Sequence, residues 1–209
     1  MIPDDLRKPQ LRALQYFYVD GTFEFGFGLL CLILAIFFYL EGRAQGWLLA
    51  VVDSSLVLTL IGGAWLFKRL VGWIKHNVTY PRTGYVAYPP KKGYRRGMGL
   101  ALGMAAGGAA GGLAAVLAGH AIDGMAAMPV LSGCLVGLVL TLMGWRARLP
   151  RFYLLAGLSV AAGLALGWSG LENDLALSAY YLTLSLVLFA SGALTLRAYL
   201  RSTDAPQPQ

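Results

Sequence analysis

Charge is scarce in this chain: only 13% of its 209 residues are Asp, Glu, Lys or Arg, against about 25% in ordinary soluble domains. Too few charges to clothe a water-facing globule exclude a soluble enzyme domain. Cysteine is scarcer still, with two, Cys31 and Cys134, which excludes a disulfide-stapled secreted fold. Both fall near the middle of apolar blocks and read as small packing residues. The two histidines, His76 and His120, stand far apart and lack zinc-ligand spacing, so neither a metal nor a cofactor is expected. Apolar and polar residues do not alternate with period two, which speaks against a transmembrane barrel. No glycine-rich stretch ends in Gly-Lys-Ser/Thr, so a phosphate-binding nucleotide loop is excluded. Disorder and collagen fail on composition as well.

What the chain has is hydrophobic length. Some 57% of residues are apolar, and they come in blocks near twenty long. A helix crosses ~30 Å of hydrocarbon in about 20 residues. Six blocks meet that requirement, at about 21–40, 47–67, 98–118, 125–145, 152–168 and 175–196. The fifth is short and lies between Pro150 and Gly170, leaving a tilted or partly re-entrant segment as an alternative. The expected fold is all-α, a polytopic membrane protein built as a bundle of six transmembrane helices. It forms one membrane domain over 1–209, with an interfacial segment at 1–20, a basic cytoplasmic loop at 68–97 and a cytoplasmic tail at 197–209.

Orientation follows from the basic residues. Sixteen of the seventeen Lys and Arg fall on one side of this arrangement and only Arg43 on the other. The positive-inside rule then places both termini in the cytoplasm. The first twenty residues lack the apolar core of a cleavable signal. Leu6, Leu11, Leu14, Phe17 and Tyr18 suggest an amphipathic helix lying along the interface.

The third block carries the most regular pattern. Gly99, Gly103, Gly107 and Gly111 recur every four residues, which puts them on one helical face. Lipid tails drive no hydrophobic association between helices, so close backbone approach is how such a face gains stability. The face suits tight packing within the bundle, against Gly133, Gly137 and Thr141 or against Gly163 and Gly167. The alternative is a dimer seam or a sliding surface for conformational change.

Ionisable residues within spans are functional candidates, because charge in hydrocarbon is costly. Asp20 and Glu24 stand four apart at the mouth of the first span. Each also has a structural reading: Asp20 with the helix dipole, Glu24 paired with Arg12 or with an arginine of the basic loop. Asp53 sits roughly 9–10 Å deep from the opposite side. The rise per residue separates it from Glu24 by about 14 Å along the membrane normal, too far for one two-carboxylate site. Asp53, Glu24 and Asp20 are thus the candidate proton or cation groups, with Tyr181, Ser178 and Ser185 available either to satisfy Asp53 or to join helices. His120 and Asp123, three apart, read as an interfacial pair.

The basic loop carries Arg82, Lys91, Lys92, Arg95 and Arg96, interleaved with tyrosines. The net charge of +7 is already explained by topology, so anionic lipid headgroups or a partner protein are the expected contacts, and nucleic acid is not. Gly167-Trp168-Ser169-Gly170 resembles the nucleophile motif of rhomboid intramembrane proteases. Those enzymes need a histidine on a later helix, and none follows His120; without a base, the serine is an ordinary alcohol.

Two stretches carry a further likeness. Tyr16-Phe17-Tyr18-Val19-Asp20-Gly21 and Tyr80-Pro81-Arg82-Thr83-Gly84-Tyr85-Val86 resemble a family of uncharacterised bacterial membrane proteins, in which an acidic Asp-Gly lead-in to the first span is paired with a Pro-Arg-Thr-Gly-Tyr-Val loop. Val19 stands where that family places a glutamate. The resemblance implies a bacterial inner-membrane, multi-pass protein and carries no activity with it. The expected role is non-enzymatic, an accessory or helix-packing partner for itself or another membrane protein, with a small proton- or cation-coupled transporter or channel using Asp53 as the alternative.

Overall fold

The computed structural model describes residue 18 and residues 20–79 and 127–202. All regular structure among them is helical. The glycine-rich 98–118 block, the loop cations Arg82, Lys91, Lys92, Arg95 and Arg96, and the His120–Asp123 pair lie outside the described residues.

Among the described residues five α-helices follow in order: α1 Thr22–Glu41, α2 Trp47–Ile74, α3 Ala127–Ala147, α4 Arg151–Gly167 and α5 Asn173–Ser202. Four described helices are long and apolar enough to cross a membrane; α4, with 17 residues, is the shorter one. α4 is a single unbroken helix, without the reversal that a re-entrant segment requires. Two helices outrun their apolar blocks. α2 continues past Phe67 to Ile74 and then widens into a π turn over Lys75–Thr79. α5 extends to Ser202, so Arg197 and Arg201 ride on helix and not on a free tail.

The helices are held by close backbone approach and by hydroxyls, as expected where lipid gives no hydrophobic drive to association. α1 packs most extensively on α5, and α3 on α4. In the first pair, Gly21 adopts a left-handed φ of 73° at the start of α1. A β-carbon there would stand 2.8 Å from the Gly192 carbonyl oxygen. Ser178 donates to the Ala35 carbonyl at 2.8 Å and Ser185 to the Gly28 carbonyl at 2.9 Å. These serines therefore act as interhelical ties and do not serve Asp53. In the second pair, a β-carbon on Gly163 would lie 2.7 Å from the Pro129 carbonyl oxygen and 3.0 Å from the Gly133 α-carbon. Gly133 and Gly163 are spent on each other.

A buried polar knot joins α3, α4 and α5. Ser159 Oγ and Tyr180 Oη are 2.8 Å apart, Ser159 donates to the Gly133 carbonyl at 3.2 Å, and Tyr180 reaches the Ser132 carbonyl at 3.3 Å. Tyr180 is fully buried among Cys31, Leu140, Phe152, Leu155, Leu184 and Leu188. Its neighbour Tyr181 stacks on Phe38 at 5.6 Å, and its hydroxyl is in hydrogen-bond reach of the Ser132 side chain. α2 packs on α1 but is little covered: only 6% of its apolar window is buried among the described residues.

Candidate functional site

Contacts at the helix ends fix which ends lie together. The start of α1 meets the end of α2 and the start of α4, and Gly21 meets Gly192 and Thr195 near the end of α5. One end of the bundle therefore gathers Lys68, Arg69, Lys75, Arg146, Arg148, Arg151, Arg197 and Arg201, the basic grouping expected from the sequence.

Within this basic end lie both entrance acids, and both are paired. Asp20, 1% exposed, meets Lys75 Nζ at 3.3 Å through Oδ2. Its Oδ1 accepts from the Thr22 amide at 3.2 Å and the Thr22 hydroxyl at 2.8 Å. An acid flanking a helix start satisfies orphan N–H groups in this way, so the dipole reading of Asp20 holds together with an ion pair. Glu24 is completely buried, and its Oε1 lies 2.9 Å from Arg151 Nε. That contact is an ion pair by distance, though its angle does not make an aligned hydrogen bond. Arg151 also donates to the Tyr18 carbonyl oxygen. Arg151 is a partner that the sequence reading does not name for Glu24; Arg12 and the 82–96 arginines lie outside the described residues.

Aromatic rings close over the pair. Tyr18 packs edge-on to Phe23 at 5.3 Å and to Phe152 at 5.7 Å, while Phe23 meets Phe67 at 5.7 Å. The Arg151 guanidinium sits 5.3 Å from the Phe152 ring centroid. Exclusion of water strengthens the Glu24–Arg151 attraction and raises the cost of separating it. Burial pushes the Tyr18 phenol above its ordinary pKa, opposed by nearby Arg146 and assisted by Glu24. Asp20 and Glu24 thus share a region, as their spacing suggests, but each is engaged by its own cation.

Asp53 lies at the other end of the bundle. It is exposed among the described residues and comes within side-chain hydrogen-bond reach of Glu41, with Asp174 close by. Glu41 escapes the sequence reading because it stands at the end of the first apolar block. Pairing α1 and α2 as a hairpin brings it beside Asp53, and that pairing was the available signal. The described residues contain no group of three or more His, Cys, Asp or Glu able to hold a metal. Ser169 donates to the Leu166 carbonyl at 2.6 Å, closing the end of α4.

No family model, curated protein or solved structure matches the chain.

Proposed function

We propose that this chain is a multi-pass protein of the bacterial inner membrane, with six spans and both termini in the cytoplasm. It acts without catalysis, as an accessory or helix-packing partner of another membrane protein or of a second copy. The observation that carries this reading is the state of the entrance acids. Glu24 and Asp20, the costliest groups in the bundle, are each joined to a cation on another helix. Groups held this way fasten helices together and are poorly placed to exchange protons with a passing substrate. The open apolar face of α2, including Trp47, Val57, Leu58, Ile61, Trp65 and Trp73, supplies surface for lipid or a neighbouring helix. The cytoplasmic loop with Arg82, Lys91, Lys92, Arg95 and Arg96 contacts anionic headgroups or the partner. The 98–118 block contributes its Gly99, Gly103, Gly107 and Gly111 face to packing.

Mild detergent extraction at native expression, followed by size-exclusion chromatography and mass spectrometry, tests this. A reproducible stoichiometric partner or homodimer is expected; a bare monomer overturns the reading.

One observation favours a second reading. The approach of Asp53 to Glu41 supports a proton- or cation-coupled transporter, because neighbouring carboxyls at a membrane face can share a proton or ligate a cation. Flux into proteoliposomes, compared between wild type and Asp53→Asn, separates the two.

A further inference from the structure

Along α2 runs a stripe that none of the described helices covers. Asp53, Val57, Leu60, Ile61, Ala64 and Lys68 follow one another at helical spacing, which puts them on one side of the helix. All six are exposed. α1 takes a different side of α2: Leu30 stands 2.6 Å from where a β-carbon on Gly63 would sit, and Phe23 packs on Phe67.

The stripe begins with an acid and ends with a base. Asp53 is within hydrogen-bond reach of Glu41, the last residue of α1, at the outer end of the bundle. Lys68 belongs to the basic end and forms no ion pair with any described residue. Fifteen residues separate the two, or about 22 Å along the axis. Two carboxyls held together call for a cation, and Glu41 Oε2 is buried with no hydrogen-bond partner. Arg43, the one cation at this end among the described residues, lies over the Tyr39 ring at 5.2 Å and forms no ion pair there.

In lipid the apolar middle of the stripe draws no helix by hydrophobic force. Its two charges do choose, because charge pairs count for more where water is scarce. They disfavour two occupants. A second copy related by a two-fold axis along the membrane normal sets Asp53 against Asp53 and Lys68 against Lys68. The chain's own 98–118 block is entered from Lys91, Lys92, Arg95 and Arg96, which adds cations beside Lys68. Ala64, small and midway, lets a foreign helix approach closely.

We propose that this stripe docks one transmembrane helix of a different protein, which carries Lys or Arg at its outer end and Asp or Glu about four turns away at its cytoplasmic end. The outer cation completes the Asp53–Glu41 pair, and the inner acid meets Lys68. This rests on the accessory reading above and gives its partner a charge pattern.

Synthetic single-span peptides with a Leu/Ala core are the probes, in phosphatidylcholine proteoliposomes holding the full chain. Energy transfer from the α2 tryptophans to a dansyl group on the peptide reads binding. One peptide carries Arg and Glu fifteen residues apart, a second Arg at both places, a third Gln at both. Wild type is expected to bind the Arg/Glu peptide roughly tenfold more tightly than the others. K68E reverses the order and favours the Arg/Arg peptide, while D53N/K68Q binds all three alike. D174N, whose acid lies on α5 and off the stripe, keeps the wild-type order. A64L leaves both charges in place and weakens the Arg/Glu peptide by filling the middle of the stripe. Equal binding of the three peptides by wild type, or an order that K68E does not change, overturns the proposal. So does efficient disulfide formation in native membranes between A64C and a cysteine placed in 98–118, or between A64C residues of two copies, because the stripe then has another occupant. A stoichiometric partner that stays bound to D53N/K68Q ends this proposal and leaves the accessory reading standing; peptide selection by a chain that purifies as a bare monomer does the reverse.

Discussion

Glu24 and Arg151 meet at 2.9 Å although they come from opposite halves of the chain. Glu24 is wholly buried, while the Arg151 side chain keeps 22% exposure. The pair ties the first helix to the fourth, beneath the Tyr18, Phe23 and Phe152 rings. Removing one member of a buried pair strands the other, which costs about 3–5 kcal/mol, whereas replacing both with apolar groups is often nearly neutral. Arg151→Met is accordingly expected to lower stability by about 3 kcal/mol, toward the bottom of that range because Arg151 is partly exposed. Glu24→Leu/Arg151→Met is expected to recover most of the loss. Thermal unfolding of the four proteins of this double-mutant cycle in one detergent gives the coupling directly. Additive losses would show that the contact contributes no attraction.

The α3–α4 seam makes a prediction of opposite signs on one helix. A β-carbon on Gly163 would stand 2.7 and 3.0 Å from backbone atoms of α3, while one on Gly157 meets nothing within 4 Å. Gly163→Leu must push the helices apart, at about 1–3 kcal/mol for overpacking. Gly157→Ala is expected to hold stability or raise it by up to ~1 kcal/mol, through the better helix propensity of alanine. Chemical denaturation followed by tryptophan fluorescence reads both. Equal effects would mean that the seam does not depend on backbone contact.

Helix positions were legible because hydrophobic length is a local property. The expected 47–67 and 175–196 blocks nonetheless stop short of the observed helix ends. Polar residues such as Lys75 join a helix when a buried partner like Asp20 awaits them, and that partner is remote in sequence. The four-residue spacing of Asp20 and Glu24 correctly placed them in one region. Their cations were hidden among residues that the positive-inside count treats as interchangeable. Glycine faces on α3 and α4 announced close contact but not with whom, since a surface almost without side chains encodes no partner. Tyr180 and Tyr181 are adjacent and chemically alike. Which of them bridges to Ser159 and which lays its ring on Phe38 depends on helix rotation, which tertiary packing decides.

Tyr180 is the residue that this rotation selects, and its hydroxyl links three helices through Ser159 and Ser132. Tyr180→Phe keeps the ring in its apolar surroundings and deletes only the hydroxyl. The expected loss is about 0.6 kcal/mol and at most ~1.7, the range found for interhelical hydrogen bonds in membranes. Tyr181→Phe is expected to change less, because its hydroxyl bonds only the Ser132 side chain where that of Tyr180 has two partners. Parallel thermal melts of the two variants rank them; a larger effect at Tyr181 would reverse the assignment.

Asp53 offers the sharpest separation between the two functional readings. Its carboxyl faces Glu41, with Asp174 nearby, so three acids crowd one end of the bundle at neutral pH. Like charges at short range repel, and neutralising one relieves the others. If the cluster has no task, Asp53→Asn is expected to hold or raise the thermal midpoint, and proton flux into proteoliposomes stays at the level of protein-free vesicles for both proteins. If the acids carry a proton or cation, wild type shows flux that Asp53→Asn abolishes, and the gain in stability marks strain maintained for transport. The accessory reading expects the first pattern. Measuring flux and midpoint on the same preparations decides between them, because an unfolded variant would lose both and an intact one can lose only the flux.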